Sequence, residues 1–240
     1  MTTTERPGVR AVGRSPSAMV VYLEVGKKRT FAGAIDWPGW CRSGGDEGSA
    51  LEALVASAPR YALVLRGTRL GFRAPTDPST FTVVQRLKGD ATTDFGAPGS
   101  APSADQEPVT AADLRRFEAV LRATWRAFDR AVEGAAGKEL TKGPRGGGRS
   151  LDGIVRHVID AEGAYLNALG WKLRKDRGSD RSGEIERTRK AVREGLEASV
   201  RGEILRRGPR GGVRWLPRYF VRRLAWHALD HAWEIEDRAI

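Results

Sequence analysis

The last amphipathic stretch of the chain, residues 215–238, constrains the fold most, because its apolar side chains repeat at the spacing of one helix face. The repeating residues are Phe220, Leu224, Ala228 and Ile235. His227 and His231 fall on the same stripe, four residues apart, so their rings stand one above the other. The spacing predicts a helix whose buried face carries two imidazoles.

The third and last histidine of the chain, His157, lies on another stretch of helical periodicity. The apolar stripe of that stretch is formed by Ile154, Val158, Ala161 and Tyr165. The three imidazoles are therefore predicted to face one helical core, where neutral imidazoles from two helices can share a metal ion with open coordination positions. Taken singly, a histidine on an apolar face is more often a core residue with one hydrogen bond, and that alternative stays open.

Residues 110–238 contain four amphipathic stretches joined by loops, which is the pattern of a helical bundle. Thr110 is placed to cap the first helix, with Asp113 as its capping-box partner. Ser150 is placed to cap the helix of His157, and the third helix is predicted over residues 183–205. We therefore assign residues 110–240 to a four-helix bundle.

The preceding residues, 17–89, have the pattern of a small α/β domain. The β-rich runs 19–25 and 29–36 predict a hairpin, and residues 81–87 predict a further strand. The sheet is expected to be antiparallel. Together with the bundle this predicts an α+β protein.

Cap and linker residues set the remaining boundaries. A helix that Asp46 or Ser49 can cap lies between the strands, and Pro59 is expected to bend or end it. Residues 1–16 are polar and are expected to form a disordered tail. Residues 90–109 are rich in Gly, Pro, Ser and Ala, a composition typical of a linker.

Two glycine-rich loops that share the sequence Gly-Pro-Arg-Gly-Gly precede the two histidine helices. Glycine-rich backbone beside arginine at a helix N-terminus can hold an anion such as a carboxylate or phosphate. The candidate anion-binding residues are Arg145, Arg149, Arg210 and Arg214. A flexible connection with solvated arginines explains the same sequence, and we favour this alternative.

Charge and cysteine content narrow the function classes. The net charge of +11 allows nonspecific contact with nucleic acid, but acidic and basic residues are interleaved, so specific nucleic-acid binding is not expected. The single cysteine, Cys41, cannot form an intramolecular disulfide and is expected to be a bystander, not a nucleophile.

No apolar run is long enough for a membrane span and residues 1–14 lack a signal-peptide core, so we expect no membrane association and a cytoplasmic location.

The bundle residues 110–240 resemble a known superfamily through two short motifs. These are Ile-Val-Arg-His-Val-Ile-Asp-Ala-Glu around His157, and Ala-Trp-His-Ala-Leu-Asp-His-Ala-Trp-Glu around His227 and His231. The helix order, spacing and apolar context are similar to those of the DinB/YfiT superfamily of metal-binding four-helix bundles. The resemblance implies a divalent metal, either zinc, nickel or iron, held by these three histidines.

The same resemblance implies a function. Family members of known activity include transferases and isomerases that use low-molecular-weight thiols such as mycothiol or bacillithiol. In that chemistry the open metal position binds the thiol as a thiolate, which attacks an electrophilic small-molecule substrate. Hydrolysis by a metal-activated water is the competing chemistry. The candidate carboxylate partners of the ligand rings are Asp160, Glu162 and Asp230.

The N-terminal half offers a second resemblance and a different function class. The stretch Phe-Ala-Gly-Ala-Ile-Asp-Trp-Pro-Gly-Trp-Cys-Arg-Ser-Gly, residues 31–44, followed by a helix over residues 47–56, resembles the small HicB-like antitoxin fold. Only the fold is carried over, because no DNA-binding module is evident. The alternative to an enzyme is thus a non-catalytic interaction or sensing protein, whose N-terminal module binds a protein partner through an apolar surface around Trp37 and Trp40. A homodimer is compatible with either function.

Overall fold

The computed structural model describes residues 19–142, 148–173 and 180–240. It confirms the α+β class: a four-stranded sheet in the N-terminal part is followed by a helical C-terminal region. The expected tail over residues 1–16 lies outside the described residues, as does Arg145.

The sheet has the strand order β3-β2-β1-β4. Its strands are β1 Met19–Val25, β2 Thr30–Ala34, β3 Cys41–Gly44 and β4 Phe81–Lys88. The β1–β2 and β2–β3 pairs are antiparallel, but β4 runs parallel to β1, so the expectation of an antiparallel sheet is wrong for this pair. The reason is the helix between β3 and β4, which carries the chain back across the sheet before β4 begins, as parallel pairing requires.

That crossover helix, α1, spans Glu47–Val64 and starts with a reciprocal capping box between Asp46 and Ser49. Pro59 lies inside it, and the helix continues to Val64 without ending at the proline. Packing on both sides holds this part of α1, since Ala58 and Tyr61 are fully buried and the Tyr61 hydroxyl donates to the Pro38 carbonyl at 2.8 Å. Tertiary contacts thus override the local signal of the proline.

The segment predicted as a linker, residues 90–109, contains a short helix, α2 Ala91–Phe95, and a 3₁₀ turn at Ser103–Gln106. Phe95, its one large apolar residue, is exposed, whereas Asp105 is buried against the last helix of the protein. The segment is therefore held by polar contacts such as that of Asp105 and by the packing of Ala97 and Val109, and Phe95 takes no part.

The remaining helices are α3 Ala111–Gly134, α4 Leu151–Leu169, α5 Arg181–Val200 and α6 Pro217–Arg238. The caps predicted at Thr110 and Ser150 are both present. The α5 helix ends earlier than predicted, and the turn after it includes Gly202 in the left-handed region, with φ of 76°. The α6 helix begins at Pro217, a residue type that is favoured in the first turn because it needs no hydrogen-bond acceptor there.

The last helix, α6, lies between the sheet and the other long helices, and most of its residues are buried. At the turn between β2 and β3, a Cβ atom on Gly39 would lie 3.0 Å from the Ala225 side chain, which shows how closely the sheet approaches α6. One continuous core contains side chains of both halves, such as Leu54 of α1 and Leu224 of α6. None of the helices in the described part of the chain is long and apolar enough to cross a membrane.

Candidate metal centre

The three histidines meet where α4 packs against α6. His157 lies in the second turn of α4, and His227 and His231 lie on successive turns of α6. The histidines of each helix lie on its buried apolar face, so their imidazoles point toward the other helix. The two α6 histidines are almost fully buried, whereas His157 is partly exposed, so the cluster has one side toward solvent.

The distances between the rings are those of groups that can share one ion. The Nε2 atoms of His157 and His227 are 3.2 Å apart, and the ligand atoms of all three side chains lie within 4.8 Å of one another. Two imidazole nitrogens that each bind a metal at about 2.0–2.1 Å are separated by roughly 3 Å at tetrahedral or octahedral angles. The His157–His227 separation therefore fits a pair of ligands on one metal.

The environment of His157 and His227 favours their neutral forms, and metal binding requires neutral imidazole. Burial lowers the pKa of His227 well below its usual value, and the neighbouring His231 and His157 lower it further. Burial also lowers the pKa of His157, with His231 as the next cause. Mutual repulsion between protonated rings thus adds to the desolvation cost, and the lone pairs stay available.

A carboxylate that the sequence analysis missed orients the third histidine. The Nδ1 atom of His231 donates to Glu234 at 2.7 Å, and the Arg238 guanidinium holds the same carboxylate at 2.5 Å. This arrangement leaves Nε2 of His231 free as a ligand atom and sets its tautomer. Glu234 and Arg238 follow His231 at helical spacings of three and seven residues, so the sequence does contain a signal for this contact.

The three carboxylates predicted as ring partners make other contacts. Asp160 is exposed on α4, and its charge acts only weakly on His157. Glu162 is buried and accepts a hydrogen bond from Trp125 Nε1 at 2.7 Å. Asp230 pairs with Arg42 at 3.1 Å. The hydrogen bond to a ligand ring that was expected from one of these three carboxylates is made by Glu234 instead.

The arginines predicted as anion-binding residues lie in different surroundings. The charge of Arg149 acts on His157 and His227, and its backbone oxygen accepts from Arg238 at 3.0 Å. Arg214 donates to the Leu205 carbonyl at 3.1 Å, and Arg210 is exposed in the turn that precedes it. The structure thus brings Arg149 near the histidines and uses Arg214 to hold its own loop.

A second missed residue, Arg223, lies one helical turn before His227 on α6. It is 8% exposed, and its guanidinium carbon is 5.0 Å from the centre of the Trp226 ring and 5.6 Å from that of Tyr165. Three buried nitrogens in this part of α6 have no hydrogen-bond partner among the described residues: Arg223 Nε, Trp226 Nε1 and His227 Nδ1. The histidine cluster therefore borders a buried polar region that the fold leaves unsatisfied.

Cys41 lies at the start of β3 and is buried beside Phe31 and Trp226. Burial raises the pKa of its thiol to about 12. A thiol with so high a pKa does not form the thiolate near neutral pH, which agrees with the expectation that Cys41 is not a nucleophile.

No family model matches this chain, and no curated protein and no solved structure was found to be similar to it. The two resemblances drawn from the sequence motifs therefore stay predictions, and the geometry of the site has to carry the functional argument.

Proposed function

We propose that this protein holds one divalent transition-metal ion through His157, His227 and His231. We further propose that it is a metal-dependent enzyme of the kind that transfers or isomerises small molecules with a low-molecular-weight thiol. The observation that carries the proposal is that all three histidines of the chain converge, with ligand atoms within 4.8 Å of one another. A structural role for each histidine alone gives no reason for this convergence.

The donor set fits such a metal. Imidazole nitrogen suits zinc, nickel and iron, and three protein ligands leave coordination positions open for a substrate. His227 Nδ1 is buried without a described partner, so metal binding at Nε2 would fix the tautomer that places its proton on Nδ1. A divalent metal in this site supplies a Lewis acid that lowers the pKa of a bound thiol or water.

The protein's own groups prepare the site. Glu234 accepts a hydrogen bond from Nδ1 of His231, and Arg238 fixes that carboxylate in place. Tyr165 of α4 lies with its ring centre 5.7 Å from that of His227 and 5.1 Å from that of Trp215. Both aromatic side chains are partly exposed, so they form an apolar wall between the solvent and the histidines.

The competing proposal of a non-catalytic interaction protein loses its main support. It requires an apolar surface around Trp37 and Trp40, but Trp40 is only 1% exposed and stacks on Tyr61. Trp37 packs edge-on against Phe72 and lies under the Arg116 guanidinium at 4.1 Å. Both rings are thus engaged in the packing of the small domain, which weighs against this alternative.

Elemental analysis of the purified full-length protein tests the metal proposal. We expect about one equivalent of a transition metal, retained or rebound after chelation, in the protein and in an Glu236→Gln control on α6. The His227→Ala/His231→Ala variant is expected to hold none while its circular dichroism stays that of a folded protein. A folded wild-type protein that neither retains nor rebinds a metal contradicts the proposal.

The reaction class is tested with the metal-loaded protein and a panel of low-molecular-weight thiols against an activated aryl chloride. We expect thiol consumption that depends on the added metal and is absent in the double-histidine variant. Metal-dependent hydrolysis of an activated ester without thiol consumption would instead favour the hydrolytic chemistry of the same site.

A further inference from the structure

Arg223 is a buried cation with no carboxylate partner in residues 19–142, 148–173 and 180–240. The groups that it contacts are neutral: its Nη1 donates to the backbone oxygen of Pro98, and its Nη2 lies 3.4 Å from the Tyr165 hydroxyl. Burying a guanidinium away from water is unfavourable unless an opposite charge compensates for it. Arg223 is thus a buried cation whose anionic partner is not among the described residues.

The free part of Arg223 is the edge formed by Nε and Nη2. Nε is buried and has no hydrogen-bond partner among the described residues, and Nη2 makes only the long contact with Tyr165. These two nitrogens present parallel N–H groups that match the two oxygens of a carboxylate. The geometry of the open edge therefore favours a planar anion.

Trp226 adds a second and independent buried donor. Its Nε1 can only donate a hydrogen bond, and it has no acceptor in the described part of the chain. The Trp226 ring centre lies 5.0 Å from the Arg223 guanidinium carbon, and the residue is 4% exposed. Two neighbouring buried donors that both lack acceptors point to a missing acceptor group.

The position of this region relates it to the histidines. Arg223 precedes His227 by one turn of α6, and Tyr165 contacts both residues. The aromatic wall continues from Tyr165 to Trp215 and Tyr219, with ring centres 5.1 Å and 4.9 Å apart. A small ligand with an anionic end and an apolar body can therefore contact Arg223 and the histidine cluster together.

We propose that Arg223, with Trp226 and Tyr165, forms a carboxylate-binding subsite next to the three-histidine cluster, so that the small molecule bound there is a carboxylate. The subsite rests on the proposed function only for the role of the metal. The carboxylate supplies the missing negative charge and the missing acceptors, and the partly exposed Tyr165 and Trp215 contact the apolar body of the ligand.

Isothermal titration of phenylacetate into the full-length protein, metal-free and after addition of one equivalent of zinc, tests the subsite. Phenylacetamide serves as the neutral compound of nearly the same shape. We expect phenylacetate to bind and phenylacetamide to bind at least about tenfold more weakly, since a hydrogen-bonded charge is lost. Equal affinities, or no binding of phenylacetate to either form, would overturn the proposal.

Substitution of Arg223 identifies the residue responsible. Arg223→Gln is expected to weaken phenylacetate binding at least about tenfold, and Arg223→Lys to restore little of it, because lysine keeps the charge without the two parallel donors. Arg116→Gln is the matched control, because Arg116 also stacks on a tryptophan and donates to a backbone oxygen at 2.8 Å. Unchanged affinity in a folded Arg223→Gln protein overturns the assignment, and if that variant does not fold, the acid and amide comparison in the wild type decides.

Metal content measured on the same samples separates this proposal from the preceding one. Phenylacetate binding that depends on Arg223 in a protein without metal affinity supports the subsite and contradicts the metal site. A protein that binds metal but whose phenylacetate affinity is indifferent to Arg223 contradicts the subsite alone.

Discussion

Arg222 and Arg223 are neighbours on α6 and equally buried, at 6% and 8% exposure, yet their surroundings differ completely. Arg222 faces the sheet, where it forms a two-pronged ion pair with Asp105 at 2.7 and 2.9 Å and donates to the carbonyls of Ala34 and Ile35. Arg223 faces α4 and the histidines, with neutral partners and a free Nε. The charge of Arg222 is thus compensated by a carboxylate of the chain, whereas the charge of Arg223 has no carboxylate partner among the described residues.

The difference separates a structural contact from the binding site that we propose. The Arg222–Asp105 pair joins α6, the β2 end and the segment between the two halves, and all its charge is compensated within the chain. Around Arg223, three buried nitrogens of α6 have no hydrogen-bond partner among the described residues: Arg223 Nε, Trp226 Nε1 and His227 Nδ1. Buried polar groups without partners are uncommon in folded proteins, and their concentration beside the histidines is the reason why we propose this part of α6 as the binding site.

The largest effect is expected when each arginine is replaced by methionine in the metal-free protein. Arg222→Met leaves the Asp105 carboxylate buried and unpaired, and should lower the free energy of unfolding by about 3–5 kcal/mol. Arg223→Met removes a buried charge that has no counter-ion among the described residues, and should leave the free energy of unfolding within about 1 kcal/mol of wild type or raise it. Urea unfolding followed by circular dichroism measures both.

The comparison fails if the two variants lose similar stability. A large loss of stability in Arg223→Met would mean that the charge of Arg223 is already compensated within the folded chain. No ligand would then be needed to compensate for it. Asp105→Asn is the control for the other side, since it should reproduce most of the Arg222→Met loss.

Glu162 is a further buried charged group, and it lies on α4, the helix that carries His157. Burial is the main cause that raises the pKa of this carboxyl to about 7, although Arg189 and the Trp125 hydrogen bond lower it. The positive charge of Arg189 does not act on Glu162 alone, because Arg189 also makes two hydrogen bonds of 2.7 Å with Asp129. The charged form of Glu162 is therefore only partly compensated.

A raised pKa favours the folded state at low pH, because the native carboxyl holds a proton that the unfolded one releases above a pKa of about 4.5. The stability that Glu162 contributes is thus full below pH 4.5 and is lost as the pH rises to about 7. Relative to Glu162→Gln, wild-type stability should fall by up to about 3 kcal/mol over that range. Urea titrations of both proteins at several pH values measure this difference, and a constant difference would show that Glu162 is fully compensated.

Local features of the fold were predictable from the sequence. The Thr110 and Ser150 caps, the strand at residues 19–25 and the helical stripe of His227 and His231 all depend on residues within a few positions of each other. The convergence of the histidines also followed from the sequence, because both helices bury the stripe that carries them. Helical periodicity fixes which face is buried before any partner is known.

The features that could not be predicted depend on residues far apart in the chain. The parallel pairing of β4 with β1 joins residues 81 and 19, and the Arg222–Asp105 pair joins α6 to the segment taken for a linker. The sequence Arg-Arg at 222–223 gives no sign that one arginine is paired and the other is not, since the answer depends on which face each one occupies. Glu234 is the exception, since it follows His231 by three residues and helical spacing alone places the two side chains on one face.

The smallest effect concerns Glu234, whose carboxylate contacts both His231 and Arg238. Glu234→Gln removes the charge that orients His231 and pairs with Arg238, and such outer carboxylates typically strengthen metal binding by about 10–100-fold. We expect the zinc dissociation constant, measured by competition with a chelating dye, to rise by about tenfold or more, with the site still able to fill. Glu236→Gln, two residues along α6 and bound to Arg60 instead, should leave the constant unchanged. If both variants bind zinc like wild type, His231 is oriented by packing alone. The hydrogen bond from His231 to Glu234 would then have no part in metal binding.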